Sequence, residues 1–419
     1  MPASHSLVPF DQFVQSLHAA RPEHFLNVPH SNIADAGSFD EIRTYLIKYY
    51  DSTTALHSFV DANGSVFDCI PIEQQMSRRG QSGAIATAVD LPGWTATLAP
   101  GAPHAPARAL VQLHADFVDI YGNQMLAPDG TIPVRRLTLE DLSRFRNLRH
   151  FMQKRPSDGG GIRPPGASGP SPQVAATHRW AHAFQNVNNL GGTSFVNVWD
   201  PSIGANQIFS LSQHWYVGGS GAALQTAEVG WQVYPKLYSS TKPCLFIYWT
   251  ADAYHSTGCY NLSCSAFVQT NKNWAFGGAL SPWSVAGGTQ YELDIAFYLV
   301  GGNWWLYLGG GAAANAVGYY PASIYHGGAM ATHASEIDYG GEVVGTTSWP
   351  PMGGGAFASA GWQHAAYQRQ IQYFPTGGGR TDAALTASAN APCYTSQVVK
   401  YAAPWNETVW FGGPGGTHC

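Results

Sequence analysis

Residues 291–308 read YELDIAFYLVGGNWWLYL. In the first ten, Tyr291, Leu293, Ile295, Phe297 and Leu299 alternate with their neighbours, which is the period-two pattern of a strand with one face in a core. Gly301-Gly302 turns the chain, and residues 303–308 supply the returning strand. Similar runs recur at residues 195–199, 209–217, 229–234, 245–250 and 371–374. No long helical period separates them, so residues 174–419 are expected to form a mainly β domain, an antiparallel β-sandwich of jelly-roll type. The glycine tracts 309–311, 353–355 and 377–379 lack the strand-to-helix context of a phosphate loop and read as turns.

Outward from this region the composition agrees. The 419 residues are 45% hydrophobic and 13% aromatic but only 11% charged, with 47 Gly and 27 Pro, which favours strands and turns over helical bundles. At this length two domains are the starting expectation. Residues 155–173, RPSDGGGIRPPGASGPSPQ, carry no apolar periodicity and mark the boundary. They divide the chain into an N-terminal domain (1–155), a Gly/Pro/Ser linker (156–173) and a C-terminal domain (174–419). Of 21 Lys+Arg and 26 Asp+Glu, 13 and 15 lie in residues 1–155, against 7 and 10 in residues 174–419, so the two halves differ in surface chemistry.

The N-terminal part reads as α+β. Ser38 with Glu41, and Thr138 with Asp141, form capping-box patterns; each predicts a helix, the second running through Leu142, Phe145, Leu148 and Phe151. Residues 57–70 read as a hairpin with Asn63-Gly64 at its tip. Nothing in this half reads as catalytic.

A formal net charge of -5, with no basic cluster interleaved with aromatics, argues against nucleic acid and anionic membranes as partners. No apolar stretch approaches the roughly 20 residues of a membrane span. There is no HExxH and no CxxC, the 16 histidines are scattered, and residues 218–222 (GGSGA) miss GxSxG at the last position. No metal and no cofactor are therefore expected. Met1 to Leu17 lack the basic head and apolar stretch of a signal peptide, so export is expected either after removal of a preceding signal or by an unusual route. Cys259 with Cys264, and Cys393 with Cys419, are placed as disulfides in an oxidising compartment would be; six buried thiols is the alternative reading.

Two segments carry carboxylates in an unusual setting. In QTAEVGWQVYPKLY (225–238), an extended chain puts Glu228, Gly230, Gln232 and Tyr234 on one face, with Val229, Trp231 and Val233 on the other. Gly230 removes a side chain beside Glu228, leaving space for a substrate backbone. In IDYGGEVV (337–344), Glu342 directly follows two glycines. Taken alone, a carboxylate on a strand is ordinarily a solvent-facing residue. The surrounding pattern changes that reading.

The pattern resembles the neprosin family of secreted proteins. The matching pieces run in family order: SLSQHWYVGG (210–219), AEVGWQVYPKLY (227–238), LFIYWTADAYHSTGCYNLSC (245–264), GNWWLYLG (302–309), VGYYPASIY (317–325), IDYGGEVV (337–344) and MGGGAFASAGWQHAAYQRQIQ (352–372). VFDCIPIEQQ (66–75) is a weaker echo of the family's N-terminal propeptide domain. The resemblance implies a secreted glutamic peptidase on a β-sandwich, made as a zymogen whose N-terminal domain blocks the cleft and acts as an intramolecular inhibitor. It implies Glu228 and Glu342 as the catalytic pair, cleavage on the carboxyl side of proline in acid, and the Cys259–Cys264 and Cys393–Cys419 disulfides. The chain departs from the family at Val229, where alanine is usual, and at PPMGGGAF (350–357); Cys244 has no obvious partner, and the state of Cys69 is open.

Amide hydrolysis without a metal or a side-chain nucleophile needs an activated water, a proton donor and a steadied oxyanion. Two carboxylates sharing a proton supply the first two, and the pair titrates as a unit suited to acid. Gln232 and Tyr234, with Trp215 and Tyr248 from neighbouring motifs, are candidates for oxyanion contact or substrate binding. The expected substrates are proline-containing proteins or peptides, and a monomer is expected. The alternative is a carbohydrate-binding or glycoside-hydrolysing sandwich, with Trp231, Trp249, Trp304 and Trp305 as a stacking platform or the carboxylates as a glycosidase pair.

Overall fold

A computed structural model describes residues 7–94, 107–154 and 176–419 of the chain. The linker 156–173 lies outside them. The N-terminal region contains α1 (Phe10–Ala19), α2 (Ala36–Tyr50), α3 (Leu139–Ser143) and α4 (Leu148–Met152). Beside these helices stands a three-stranded sheet ordered β1 (His57–Val60), β2 (Val66–Pro71) and β4 (Thr131–Arg135); β3 is the pair Arg108–Ala109. The expected hairpin is β1–β2, with Val60 paired to Val66 and Gly64 at φ 81° in its turn.

Both expected helices need correction. Asp35, not Ser38, caps α2, its side chain accepting from the Ser38 N–H at 2.7 Å, so the helix begins earlier than the Ser38–Glu41 pattern implied. The Thr138–Asp141 capping box is present, but the helix it opens ends after one turn. Asn147 caps a second short helix that carries Phe151 into the core.

The C-terminal region is built from β5 (Thr177–Asn197), β6 (Gln207–Gly218), β7 (Gln225–Val233), β8 (Cys244–Thr250), β9 (Val268–Gln269), β10 (Tyr291–Val300), β11 (Asn303–Leu308) and β12 (Ala316–Pro321). After these come β13 (Ala334–Gly345), β14 (Ala366–Pro375), β15 (Thr381–Asp382), β16 (Thr386–Ala389), β17 (Thr395–Lys400) and β18 (Glu407–Gly412). Among the described residues of this region the α-helix is α5 (Pro235–Tyr238), beside several short 3-10 turns.

Strand β5 makes one curled sheet into a sandwich. Its first half pairs with β13 and β16, while its second half pairs with β10 and β14. The layer β8-β7-β6-β13-β5 therefore continues through a bend into β5-β10-β11-β12-β9. Gly191 stands at the bend with φ 114°, and a Cβ there would lie 2.1 Å from the Phe297 carbonyl oxygen.

The residues that alternate inward fill the space between the layers. Tyr216 meets Phe297 edge-on at 5.8 Å, and Trp231 donates from Nε1 to the Asn197 carbonyl at 2.9 Å. Of the alternating set, Leu293, Ile295, Phe297 and Leu299 are buried and Tyr291 is half-buried; Trp304 and Leu306 of the returning strand are buried as well. Burial of such side chains contributes roughly 1.5–3 kcal/mol each relative to exposure. Trp231, Trp249, Trp304 and Trp305 are all buried, so they form core and not an exposed stacking platform.

The N-terminal region packs against the C-terminal region at α5 and the loop after β8. Tyr49 donates to the Leu262 carbonyl at 3.0 Å and Tyr45 to Ser263 at 2.7 Å, while the Arg135 guanidinium donates to the Leu237 and Tyr238 carbonyls of α5. One hydrophobic core runs across the junction. Both expected disulfides are present, Cys259–Cys264 and Cys393–Cys419; Cys69 and Cys244 are buried free thiols, pushed up in pKa by burial, Cys69 to about 12.

Candidate active site

In an antiparallel sheet, residues paired across strands point to the same side. Trp180, Glu342, Leu211 and Gln232 make one row across β5, β13, β6 and β7. The next row is His182, Gly340, Gln213 and Gly230, and the third is Phe184, Asp338, Trp215 and Glu228. Glu228 and Glu342 thus share a face of one layer, separated by a row in which two of four positions are glycine.

Those glycines are forced by the backbone. A Cβ on Gly230 would lie 1.9 Å from the Ser212 carbonyl oxygen, and one on Gly340, at φ 151°, would lie 2.5 Å from His182 Cα. Gly230 therefore serves the close approach of β7 to β6 rather than a channel for a substrate backbone. A second consequence is that Gln213, standing between the two glycines, has no side-chain neighbour on either flank, and its amide reaches the Glu228 carboxylate and the Lys154 ammonium.

Both carboxylates are buried, and a single ammonium group joins them. Lys154 Nζ forms an ion pair with Glu228 Oε2 and lies 3.1 Å from Glu342 Oε2. It also donates to Gln213 Oε1 at 3.1 Å and sits over the Trp215 ring, 5.4 Å from its centroid. The backbone holds this lysine in place: the Lys154 N–H donates to the Tyr248 hydroxyl at 3.2 Å, and that hydroxyl donates to the Met152 carbonyl at 3.3 Å.

The remaining partners differ between the two acids. Glu228 Oε1 accepts from Thr226 Oγ1 at 2.8 Å and from the Tyr254 hydroxyl at 2.6 Å, and Oε2 accepts from Gln213 Nε2 at 3.0 Å. Glu342 Oε1 faces His178 Nδ1 in an ion pair. Burial alone would raise the Glu342 carboxyl, but the Lys154 and His178 charges outweigh it and hold the group down at about 2. Burial would lower the Lys154 pKa, but the Glu228 and Glu342 carboxylates beside it raise it on balance. The Tyr254 hydroxyl is pushed well up by burial and then by the adjacent Glu228 charge, so it stays a neutral donor.

Tyr254 reaches Glu228 from a strained turn. Ala253 and Tyr254 have φ of 55° and 63°, a region that non-glycine residues seldom enter. Thr250 Oγ1 accepts from the Tyr254 N–H at 2.8 Å, and Asp252 accepts from the Ser256 and Thr257 N–H groups, which fixes the turn.

The other expected site residues divide. Trp215 and Tyr248 lie at the pair, one beneath the ammonium and the other hydrogen-bonded to its backbone. Gln232 is held away from it: its amide meets the Tyr238 and Tyr260 hydroxyls at 3.3 and 3.5 Å. Tyr234 packs against Phe209 and Tyr260, with its hydroxyl buried. Gln213, not Gln232, is the amide that donates to Glu228. Lys154 is a contact from residues 1–155 that the sequence reading did not single out. It belongs to no recognisable pattern, and its role comes from the docking of one region on another.

This arrangement can hold a proton between two acids and can present neutral donors to a developing oxyanion. Crystal structures of scytalido-glutamic peptidase with a transition-state analogue inhibitor and of SCP-B, an eqolisin-family peptidase bound to Ala-Ile-His, overlap 57% of this chain and 98% of theirs. Their identities are 8% and 9%, with TM-scores of 0.32 and 0.31. The Neprosin family model matches residues 206–414, a span that contains β6 to β18 and both glutamates. Through this domain, the chain belongs to the neprosin family.

Proposed function

We propose that the protein is an acid endopeptidase in which Glu228 and Glu342 activate water against a peptide bond, with preference for the carboxyl side of proline. The observation that carries this reading is the contact of one buried ammonium, Lys154 Nζ, with carboxylates 114 residues apart in sequence (342 − 228), from two different strands. Buried carboxylates this close share a proton once the ammonium leaves. The ionised partner then draws a proton from water, while the protonated one polarises the scissile carbonyl or serves the leaving nitrogen. Gln213 and Tyr254 are candidates for steadying the oxyanion, since both already donate at this spot.

In this reading residues 1–155 are the inhibitory part of a secreted zymogen, and the segment ending at Lys154 fills the cleft. Support comes from the position of Lys154, which is buried and adjoins the linker where activating cleavage would fall. The two disulfides fit an exported protein.

The test is incubation of the full chain in acid with a denatured protein of known sequence, mapping the cut sites by mass spectrometry, beside a parallel incubation with polysaccharides. Release of an N-terminal fragment followed by cuts after proline is the expected result. An intact protein substrate alongside a cleaved glycan would assign the carboxylates to glycoside hydrolysis instead.

A further inference from the structure

His178 is the charged partner of Glu342 that belongs to the sandwich itself. It lies on β5, diagonally across from Glu342 on β13, and is buried. Its ring is fixed by stacking on Trp180 (centroids 5.4 Å, interplanar angle 21°) and by an edge-on contact with Phe209 at 6.2 Å. Nδ1 is thereby aimed at Glu342 Oε1, the oxygen that Lys154 does not occupy. His182 repeats the relation two rows along the same face, with Nδ1 2.8 and 2.7 Å from the two Asp338 oxygens.

The two acids therefore lose different things when Lys154 departs. Glu228 keeps Thr226, Tyr254 and Gln213, all of them neutral. Hydroxyl groups rotate and an amide offers an oxygen as well as a nitrogen, so these groups serve a protonated carboxyl as readily as a carboxylate. Glu342 keeps an imidazole, which when protonated has only N–H donors and favours a carboxylate alone. The shared proton should accordingly rest on Glu228.

We infer that His178 is a positioning residue that keeps Glu342 ionised in the released enzyme, making Glu342 the base that takes the water proton and Glu228 the acid. This rests on the peptidase reading above. Other titratable groups face the same spot: Lys154 from the N-terminal region, Glu228 on β7, Tyr254 from the turn after β8, and His182, Asp338 and Glu336 along β5 and β13. His178 is the one whose Nδ1 meets a Glu342 oxygen.

The experiment is the pH dependence of kcat/KM for acid-processed parent and His178→Asn, which keeps a donor near the Nδ1 position and removes the charge. Without a cation beside it the Glu342 carboxyl titrates higher, so the acidic limb should move up by about one pH unit, a loss of about tenfold on that side. A uniform fall in rate with superimposable limbs would mean a structural role only and overturn the inference. Should the variant fail to fold, NMR titration of the His178 ring in the intact parent and in Glu342→Gln replaces it. Coupling is mutual, so the ring pKa should fall by about one unit in Glu342→Gln, and an unchanged value refutes the pairing. A parent that cuts peptides while the limbs coincide defeats this inference and leaves the peptidase reading standing; a parent that cuts nothing defeats both.

Discussion

Lys154 Nζ lies 3.1 Å from Glu342 Oε2, and with this contact a residue at the end of the N-terminal region meets a buried carboxylate of the C-terminal sandwich. Removing one member of a buried ion pair costs about 3–5 kcal/mol, because the charge left behind stays desolvated. In Lys154→Met the segment at residues 148–154 should therefore leave the cleft more easily. The intact variant is expected to cleave peptides at mildly acidic pH without the lag of the parent. Initial rates, read before any N-terminal fragment appears on a gel, check this; an unchanged lag would mean that the lysine does not hold the cleft shut.

The same contact sets a pH window. The Glu342 carboxyl sits at about 2 in the folded chain against an ordinary value of 4.5. A carboxyl depressed on folding contributes stability that is complete above its unfolded value and is lost as pH falls through the folded one. The intact parent should thus lose a few kcal/mol between about pH 4.5 and 2 that Glu342→Gln, already lacking the charge, does not lose. Thermal melts of both chains across that window measure the difference, and parallel curves would refute the assignment.

Tyr254 tests the donors around Glu228. A hydrogen bond to a charged group contributes about 1.5–3 kcal/mol, so Tyr254→Phe should lower kcat/KM by about tenfold to a hundredfold with the fold intact. The comparison is with the acid-processed parent on the same peptide. Equal rates would remove the hydroxyl from the machinery.

Gly230 tests the packing that brings the acids together. Its Cβ would lie 1.9 Å from a backbone oxygen of Ser212, so Gly230→Ala forces β7 away from β6. The expected cost is about 1–3 kcal/mol or more, read from urea unfolding. Gly377→Ala, where a Cβ meets open space, should change stability little. Equal effects of the two substitutions would refute the close-approach argument.

Strand alternation and glycine-flanked acids made much of this legible from residues alone. The period-two run at residues 291–308 yields β10 and β11, and the motifs around Glu228 and Glu342 mark acids that share one face of the sheet. What escaped depends on tertiary approach. Gln213 and Gln232 are equivalent by alternation on their own strands; pairing decides between them, because Gln213 falls in the glycine row and Gln232 beside Tyr238 and Tyr260. His178 is one of 16 histidines until β5 is laid against β13. Lys154 follows a helix that the capping pattern ran on unbroken, and only the Asn147 cap turns the chain toward the cleft.

The central claim, that Glu228 and Glu342 are the reacting pair, is tested most directly by kcat/KM on a proline-containing peptide in acid for processed parent, Glu228→Gln and Glu342→Gln. Each substitution leaves volume and hydrogen-bonding shape almost unchanged while removing the proton exchange, so each should lower the rate by about 10²–10⁴-fold. The double variant should be little worse than either single one, since both belong to one device. A single variant that retains rates near the parent's would contradict the account.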